Sequence, residues 1–401
     1  MREGTANPKS TRQTTGSDAG PLRSSGENNG GQAALPDSAG RLPACQDSLA
    51  GYHPSKAGNL DLREMTMRLV GGENLSRTEA ADFLDALLDR ATTDTQIAAA
   101  LIALTAKGET VDELAGMAEA MRRRATPLHS RHERFIDTAG TGSSAAKRFN
   151  VSTAAAFVIA GAGLPVAKHG ARAASSTSGS ADVLEALGVN TAASPEIVER
   201  CLNEHGICFI FAPLFHLAAA RVAHVRRDLG VHTTFNLLGP LTNPARAPFQ
   251  LLGVWHPSLV ERIASALSLL DVEKAWVVHG SDGLDEVTIK GETFVASCSA
   301  CTGVETYTIS PEDFGIQPRS VSQRRESPAE NARVTRAILD GETNGDFAVV
   351  HDLVVVNAAA ALYLAGVAND LQNAAAMARE SIDSGEATSK LDTLIRETNR
   401  S

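Results

Sequence analysis

Asp137-Thr138-Ala139-Gly140-Thr141-Gly142-Ser143-Ser144 follows the apolar pair Phe135-Ile136 and leads into Phe149-Asn150-Val151-Ser152-Thr153 and an alanine-rich run. A short apolar segment, a glycine loop and a helical stretch over residues 153–162 make one strand–loop–helix unit. A glycine-rich turn after a strand exposes backbone N–H groups, and the following helix N-terminus favours negative charge. The unit is therefore a candidate phosphate cradle, with the Ser152 and Thr153 hydroxyls adding polar or metal contacts. It matches neither the lysine spacing of a P-loop nor the three-glycine dinucleotide fingerprint.

The pattern repeats downstream. Residues 165–169 read as a second strand, a Ser/Gly-rich loop follows, and residues 181–187 read as a helix. Residues 208–211, 249–254 and 275–279 read as further buried strands, with helices between most of them and two more over 353–364 and 369–384. Alternation of this kind predicts an α/β domain with a mostly parallel central sheet. Upstream, Ser76-Arg77-Thr78-Glu79 and Thr110-Val111-Asp112-Glu113 are capping-box patterns, a third helix starts within residues 92–95, and Gly108 fits a helix stop. Three to four helices thus precede Pro127. The expected organisation is a disordered extension over 1–58, a small helical domain over 59–130, and an α/β domain over 131–401. The extension is rich in Gly, Ser, Pro and Asn and has too little apolar surface to offset the entropy of ordering it.

Composition limits the function. Only 4% of residues are aromatic within a 43% hydrophobic chain, so the core must be built from Ala, Leu, Val and Ile, which suits helices packed on a sheet. The net charge of -10 argues against broad nucleic-acid binding, which needs basic surface. The 5 cysteines are too few and scattered for a disulfide scaffold, and the lone Cys298-Ser299-Ala300-Cys301 lacks a second pair for zinc. No run of 18 apolar residues is apparent, so no membrane span and a soluble, cytoplasmic protein are expected.

Two further stretches carry chemistry. Lys168-His169-Gly170-Ala171-Arg172-Ala173-Ala174-Ser175-Ser176-Thr177-Ser178-Gly179-Ser180 places two basic side chains, a histidine and several hydroxyls in a loop after a strand, able to enclose a phosphate. His279-Gly280-Ser281-Asp282-Gly283-Leu284-Asp285-Glu286 puts adjacent carboxylates at a strand end, a reasonable Mg²⁺ site when phosphates complete the coordination.

Together with Phe211-Ala212-Pro213-Leu214-Phe215-His216, Val225-Arg226-Arg227 and Phe235-Asn236-Leu237-Leu238-Gly239-Pro240-Leu241-Thr242-Asn243-Pro244, these stretches closely resemble the anthranilate phosphoribosyltransferase family. The resemblance implies a fold like that of nucleoside phosphorylases and phosphoribosyltransferases. It also implies a homodimer formed through the helical parts, and transfer of a ribosyl group from 5-phosphoribosyl diphosphate to anthranilate, with Mg²⁺, in tryptophan synthesis. By motif match Gly140, Ser143, Ser144, Asn150, Ser152, Thr153, Lys168 and Ser176 would hold the sugar diphosphate. Thr141, Gly142, Arg148, Gly170, Ala171, Arg172, Ser175, Ser180, Pro213, His216 and Arg226 would complete the substrate-binding set. Lys168, His169 and Arg226 would act in catalysis, with His169 positioning the acceptor and Arg226 gripping its carboxylate. Asp285 and Glu286 would bind Mg²⁺, with Ser152 near a second ion.

The likeness breaks at Ala171, where the family usually has an asparagine, at Leu217 and Ala219, and at Ser143-Ser144-Ala145 in place of a Gly-Asp-Gly type of sequence. These departures predict a less polar, roomier acceptor pocket and keep open a different aromatic acid in secondary metabolism. Phosphorolysis of nucleosides and a non-catalytic nucleic-acid binder are the competing readings; the 235–244 motif opposes the first, and the charge and the Asp285-Glu286 pair oppose the second.

Overall fold

The computed structural model describes residues 61–142, 149–173, 178–299, 302–320 and 327–400. The extension expected over 1–58 therefore lies outside the described residues, as do Ser143, Ser144, Ala145, Arg148, Ser175, Ser176 and Cys301.

The described chain opens with four helices: α1 (Leu62–Val70), α2 (Arg77–Leu87), α3 (Asp94–Lys107) and α4 (Val111–Arg124). Both expected capping boxes close, with Ser76 and Glu79 exchanging side-chain and backbone hydrogen bonds and Thr110 and Glu113 doing the same. Thr93 and Gln96 form a third box at the start of α3, and Gly108 ends it at φ 85, a conformation that favours glycine.

The α/β part follows as β1 (Ile136–Gly140), α5 (Val151–Gly161), β2 (Val166–Gly170), α6 (Ser180–Ala186), α7 (Pro195–His205) and β3 (Ile207–Phe211). Next come α8 (Ala212–Phe215), α9 (Ala220–Leu229), α10 (Phe235–Leu241), β4 (Phe249–Gly253), α11 (Val260–Ser268) and β5 (Lys274–Gly280). The chain closes with β6 (Thr293–Ser299), β7 (Gly303–Ile309), α12 (Pro328–Leu339), α13 (Asp346–Leu364), α14 (Leu371–Asp383) and α15 (Glu386–Thr398). The sheet order is β3-β2-β1-β4-β5-β6-β7, parallel through β5 and antiparallel from there to the edge.

The structure adds helices that the sequence reading did not name, α12 and α15 among them, and differs from it at three further points. β6 and β7 are additional strands: β6 is built from Thr, Ala, Ser and Cys as much as from large apolar residues, and β7 is an edge strand exposed along most of its length. Helix α5 starts at Val151, two residues before the expected 153, so Ser152 and Thr153 lie in its first turn. Helix α13 starts at Asp346, not 353; Asp346, His351 and Asp352 interrupt the apolar pattern of its first two turns and hid that start in the sequence. By length and hydropathy α13 could cross a membrane, but it is buried from Leu353 to Leu364 inside the protein, which accounts for its composition.

Strand side chains alternate between two cores. Phe249 and Leu251 of β4 join the cluster of α5, α13, α14 and α15, whereas Leu252 joins α1–α4 and α11. Burial on both faces is the rule for parallel sheets and explains their continuous apolar runs. The first four helices share that second core with the sheet and are tied to it by charge-assisted bonds. Arg122 donates to the carbonyls of Leu241 and Leu270, and Arg77 to that of Leu269.

Candidate active site

From β1 the chain winds through β2 to β3 on one side, then crosses to β4 and β5 on the other. The reversal lies between β1 and β4, whose last paired residues are Gly140 and Gly253. In open α/β sheets the crevice outside the carboxyl ends of the strands at such a switch point is where ligands bind. A cavity of about 350 Å³ occupies this position. Its walls include Gly140, Thr141 and Gly142 after β1, Gly170, Ala171 and Arg172 after β2, Pro213 and His216 after β3, and Arg226 from α9. Asn150, Ser152, Thr153, Lys168, His169 and Ser180 also line it, so the described candidate residues meet in one place except for Asp285 and Glu286.

That pair lies on the connection after β5, beside the same carboxyl edge. A methyl group added at Gly140 would sit 3.7 Å from Asp285 Oδ2, and one added at Gly253 only 1.7 Å from the Asp285 carbonyl oxygen. Asp285 is thus packed against the switch point, and both carboxylates are buried. Among the described residues no cluster of three or more His, Cys, Asp or Glu could hold a metal. An adjacent Asp-Glu pair instead fits Mg²⁺, which takes few protein oxygens and relies on substrate phosphates for the rest.

Lys168, at the end of β2, is 4% exposed and donates to the Thr138 carbonyl, to Thr138 Oγ1 at 3.4 Å and to Ser152 Oγ at 3.3 Å. Its ammonium therefore stands beside the N-terminal turn of α5, where two sources of positive potential add. Asn150 Nδ2 donates to the Ser178 carbonyl, linking the two candidate phosphate loops across 3.3 Å. Arg172 is turned outward: it forms a two-point pair with Glu185 and a contact of 3.2 Å with Asp182, over the Phe211 ring. Gly170 is required by packing, since an added methyl would lie 2.2 Å from Ser180 Oγ and 2.8 Å from the Phe209 ring.

The other wall is chemically different. His169 Nδ1 lies 3.2 Å from the Gly239 carbonyl, and Nε2 has no partner among the described residues. A carbonyl only accepts, so Nδ1 carries the proton and Nε2 offers a lone pair. Burial pushes the His169 pKa down to about 3, helped by His216, whose ring centre is 5.1 Å away and whose own pKa burial lowers to about 4. Both imidazoles are neutral at pH 7. Beneath them Asp137 accepts the His169 backbone N–H at 3.1 Å, and burial raises its carboxyl to about 6 although Lys168 pulls the other way.

Arg226 is half-buried with a lowered pKa caused by desolvation, whereas Arg227 faces solvent. The Arg226 guanidinium lies over the Phe235 ring and donates to Asn236 Oδ1 at 3.1 Å, while its Nε has no partner among the described residues. Among the described residues no carboxylate pairs with it. A half-buried guanidinium in that state is an incomplete carboxylate site. Ala171, Ala212, Ala219, Ala220 and Ala223 make much of the surrounding wall apolar, while Leu217 points outward at 66% exposure.

Sequence reasoning missed several lining residues: Met121 from α4, and Phe235, Asn236 and Gly239 from α10. The last three belong to the 235–244 stretch already singled out as distinctive, and its Gly-Pro pair inside a helix was the available signal. Nothing in the sequence marks Met121.

The chain matches the helical bundle domain of a glycosyl transferase family over residues 63–125 and that family's α/β domain over 132–388. It is 49% identical over 335 residues to an anthranilate phosphoribosyltransferase of Moorella thermoacetica, covering 83% of this chain and 97% of that one. To the enzyme of the same name from Anaeromyxobacter dehalogenans it is 50% identical over 333 residues, covering 82% and 97%. Among solved structures it is similar to anthranilate phosphoribosyltransferase (TrpD) of Thermus thermophilus, at 40% identity and TM-score 0.78 over 85% of this chain and 100% of that one. The Saccharomyces cerevisiae enzyme in complex with PRPP and Mg is similar at 29% identity and TM-score 0.76, covering 84% and 97%.

Proposed function

The chain belongs to the anthranilate phosphoribosyltransferase family, and we propose that its cavity transfers the 5-phosphoribosyl group of phosphoribosyl diphosphate (PRPP) to anthranilate, releasing diphosphate, as a step of tryptophan synthesis. The observation that carries this reading is that one cavity joins anion-binding groups, Lys168 and the first turn of α5, to a half-buried guanidinium, Arg226, that has no carboxylate partner among the described residues.

Gly140, Thr141, Gly142, Asn150, Ser152, Thr153 and Lys168 hold the sugar diphosphate, with Gly170 and Ser180 closing the second loop over it. Ser143, Ser144, Arg148, Ser175 and Ser176 join them by motif match. Asp285 and Glu286 hold Mg²⁺, which supplies positive charge to the departing diphosphate; Ser152 is the contact proposed for a second ion. Lys168 adds to that charge in a water-poor site, where it counts for more than in solvent. Arg226 grips the acceptor carboxylate, and Pro213 and His216 wall the ring. The His169 Nε2 lone pair accepts an N–H of the amine and so aims its lone pair at C1 of the ribose. Neutral His169 does this without adding a charge next to the sugar carbon, which becomes positive as the bond to diphosphate breaks.

The enzyme acts as a homodimer through its first helices. Met67, Val70 and Ile102 on α1 and α3 are 62%, 65% and 41% exposed around a shallow apolar hollow, a patch that a second copy would cover. Residues 59–130 form the dimerising domain and 131–401 the transferase domain. The described cysteines Cys201, Cys208 and Cys298 are unpaired, as in a reducing compartment, which supports a cytoplasmic location.

Purified protein mixed with PRPP, Mg²⁺ and anthranilate should consume anthranilate fluorescence. Protein that binds PRPP yet spares anthranilate, while consuming another aromatic acid, would move the acceptor to the alternative that Ala171 leaves open.

A further inference from the structure

The Asp285–Glu286 pair stands on an irregular connection between β5 and β6, held internally by Gly280 N–H to the Leu284 carbonyl at 2.9 Å and Gly283 N–H to the Gly280 carbonyl at 2.8 Å. Those bonds shape the turn before the pair. After the pair, Thr288 N–H is held locally by Thr293 Oγ1 at 3.0 Å, but Val287 itself is fixed from a distant element. Asn357, in the middle of α13 and 1% exposed, accepts the Val287 N–H at 2.9 Å and donates to the Val287 carbonyl at 2.9 Å. Its other N–H donates to the Leu353 carbonyl at 2.8 Å within the same helix. Both amide hydrogens and the oxygen are thus used, and all three bonds go to backbone.

We propose that Asn357 is the positioning residue for the divalent cation, setting the direction of the Asp285 and Glu286 carboxylates through the Val287 peptide. The proposal rests on the reading of that pair as the Mg²⁺ site. Three points support it. Val287 directly follows Glu286, so a rotation of its peptide planes turns the Glu286 side chain. Val287 lies in no strand of the sheet, so Asn357 supplies the reciprocal pair of bonds that a neighbouring strand would give elsewhere. On the opposite side the Asp285 backbone is pressed against Gly253, so the pair is gripped between β4 and α13 and has little freedom to reorient. The asparagine amide spans both groups of one peptide with an acceptor and a donor at once: aspartate lacks the donor, and leucine or alanine would strand two buried backbone groups. Partners that orient metal ligands without touching the metal typically change metal affinity when removed.

The test uses the full chain with Mn²⁺ as the probe, counted by its electron paramagnetic resonance signal in the presence of PRPP. Wild-type protein should bind Mn²⁺, and Asn357→Ala should weaken that binding by about 10- to 100-fold. Anthranilate KM should stay near the wild-type value and turnover should be restored at high metal concentration. A role in stability alone would lower the melting temperature and leave Mn²⁺ affinity unchanged, and that result overturns the proposal. Asn357→Ser, which keeps one hydroxyl, is held to the same criterion if the alanine variant does not fold. If wild-type protein with PRPP binds no Mn²⁺ at all, the Mg²⁺ reading of Asp285 and Glu286 fails first, and the two failures are told apart by the wild-type measurement.

Discussion

The two halves of the cavity are built by opposite means. The half assigned to the sugar diphosphate is pinned from remote parts of the chain. Lys168 holds Thr138 and Ser152, the Asn331 side chain of α12 accepts the Asn150 N–H at 3.3 Å, and Asn357 of α13 holds Val287. The acceptor half stands on short elements: four-residue α8, a three-residue turn, α9, and α10 with Pro240 inside it. There His169 Nε2 and Arg226 Nε have no partner among the described residues, a state shared in the donor half by Thr153 Oγ1. An unpaired polar group in a low-dielectric wall is costly until something bonds to it. On the proposed assignment, a charge-rich donor half should bind PRPP on its own, while the acceptor half should be completed by the aromatic acid itself. The contrast predicts that substitutions in one half should change one substrate's kinetics and spare the other's.

The largest effect is expected from the Asp285→Ala/Glu286→Ala double variant. Losing the charge that offsets departing diphosphate should lower kcat/KM on the order of 10³-fold, as several kcal/mol of transition-state stabilisation disappear. Anthranilate binding, followed by its fluorescence, should be nearly unchanged. An equal loss of anthranilate affinity would mean that the halves are one unit.

Arg226→Ala should act on the other side. A charge-assisted bond to a carboxylate contributes about 1.5–3 kcal/mol, so acceptor KM should rise roughly 10- to 100-fold while PRPP KM holds. Arg226→Lys should recover little, since a point ammonium cannot replace a planar fork over the Phe235 ring. A rise in PRPP KM instead would place Arg226 among the phosphate ligands. His169→Phe should cost less again, about 5-fold in kcat, because one neutral hydrogen bond of about 1 kcal/mol positions the amine and no proton needs to be removed first.

The same contrast explains what could be read from the sequence. The donor half follows strand ends, and strand ends are marked locally by a glycine loop after an apolar run, as at Gly140 and again at Gly170. The capping boxes at Ser76 and Thr110 were legible for the same reason, since each is complete within four residues. The clamps are not local. Asn357 lies 70 residues from Val287 and Asn331 181 from Asn150, and nothing about a buried asparagine in an apolar helix says which backbone it will meet. Met121 was invisible because its approach to the cavity depends on how α4 packs against α10. β7 escaped because an exposed edge strand needs no apolar run, and β6, although buried except at Phe294, because Thr, Ala, Ser and Cys fill at least as many of its positions as large apolar residues do.

The smallest expected effect separates the halves by acid. His169 and His216 have folded pKa values of about 3 and about 4, below the 6.5 of a free imidazole, so under pH 6.5 the unfolded chain takes up protons that the native protein refuses. Stability therefore falls as pH falls through that window, by at most about 1.4 kcal/mol per pH unit for each group. Asp137 acts in the opposite sense: its folded pKa of about 6, raised by burial from 3.8, lets the native state bind the extra proton between those values. One buried carboxyl thus offsets one of the two imidazoles, and a net loss remains between pH 6.5 and 4.5. His216→Gln removes an imidazole from the acceptor half and should flatten the decline in melting temperature over that range by a few degrees, leaving Mn²⁺ binding with PRPP unchanged. If the decline keeps its wild-type slope, the acid sensitivity does not come from the neutral histidine pair. His169 would then lose its electrostatic support as an uncharged acceptor for the amine.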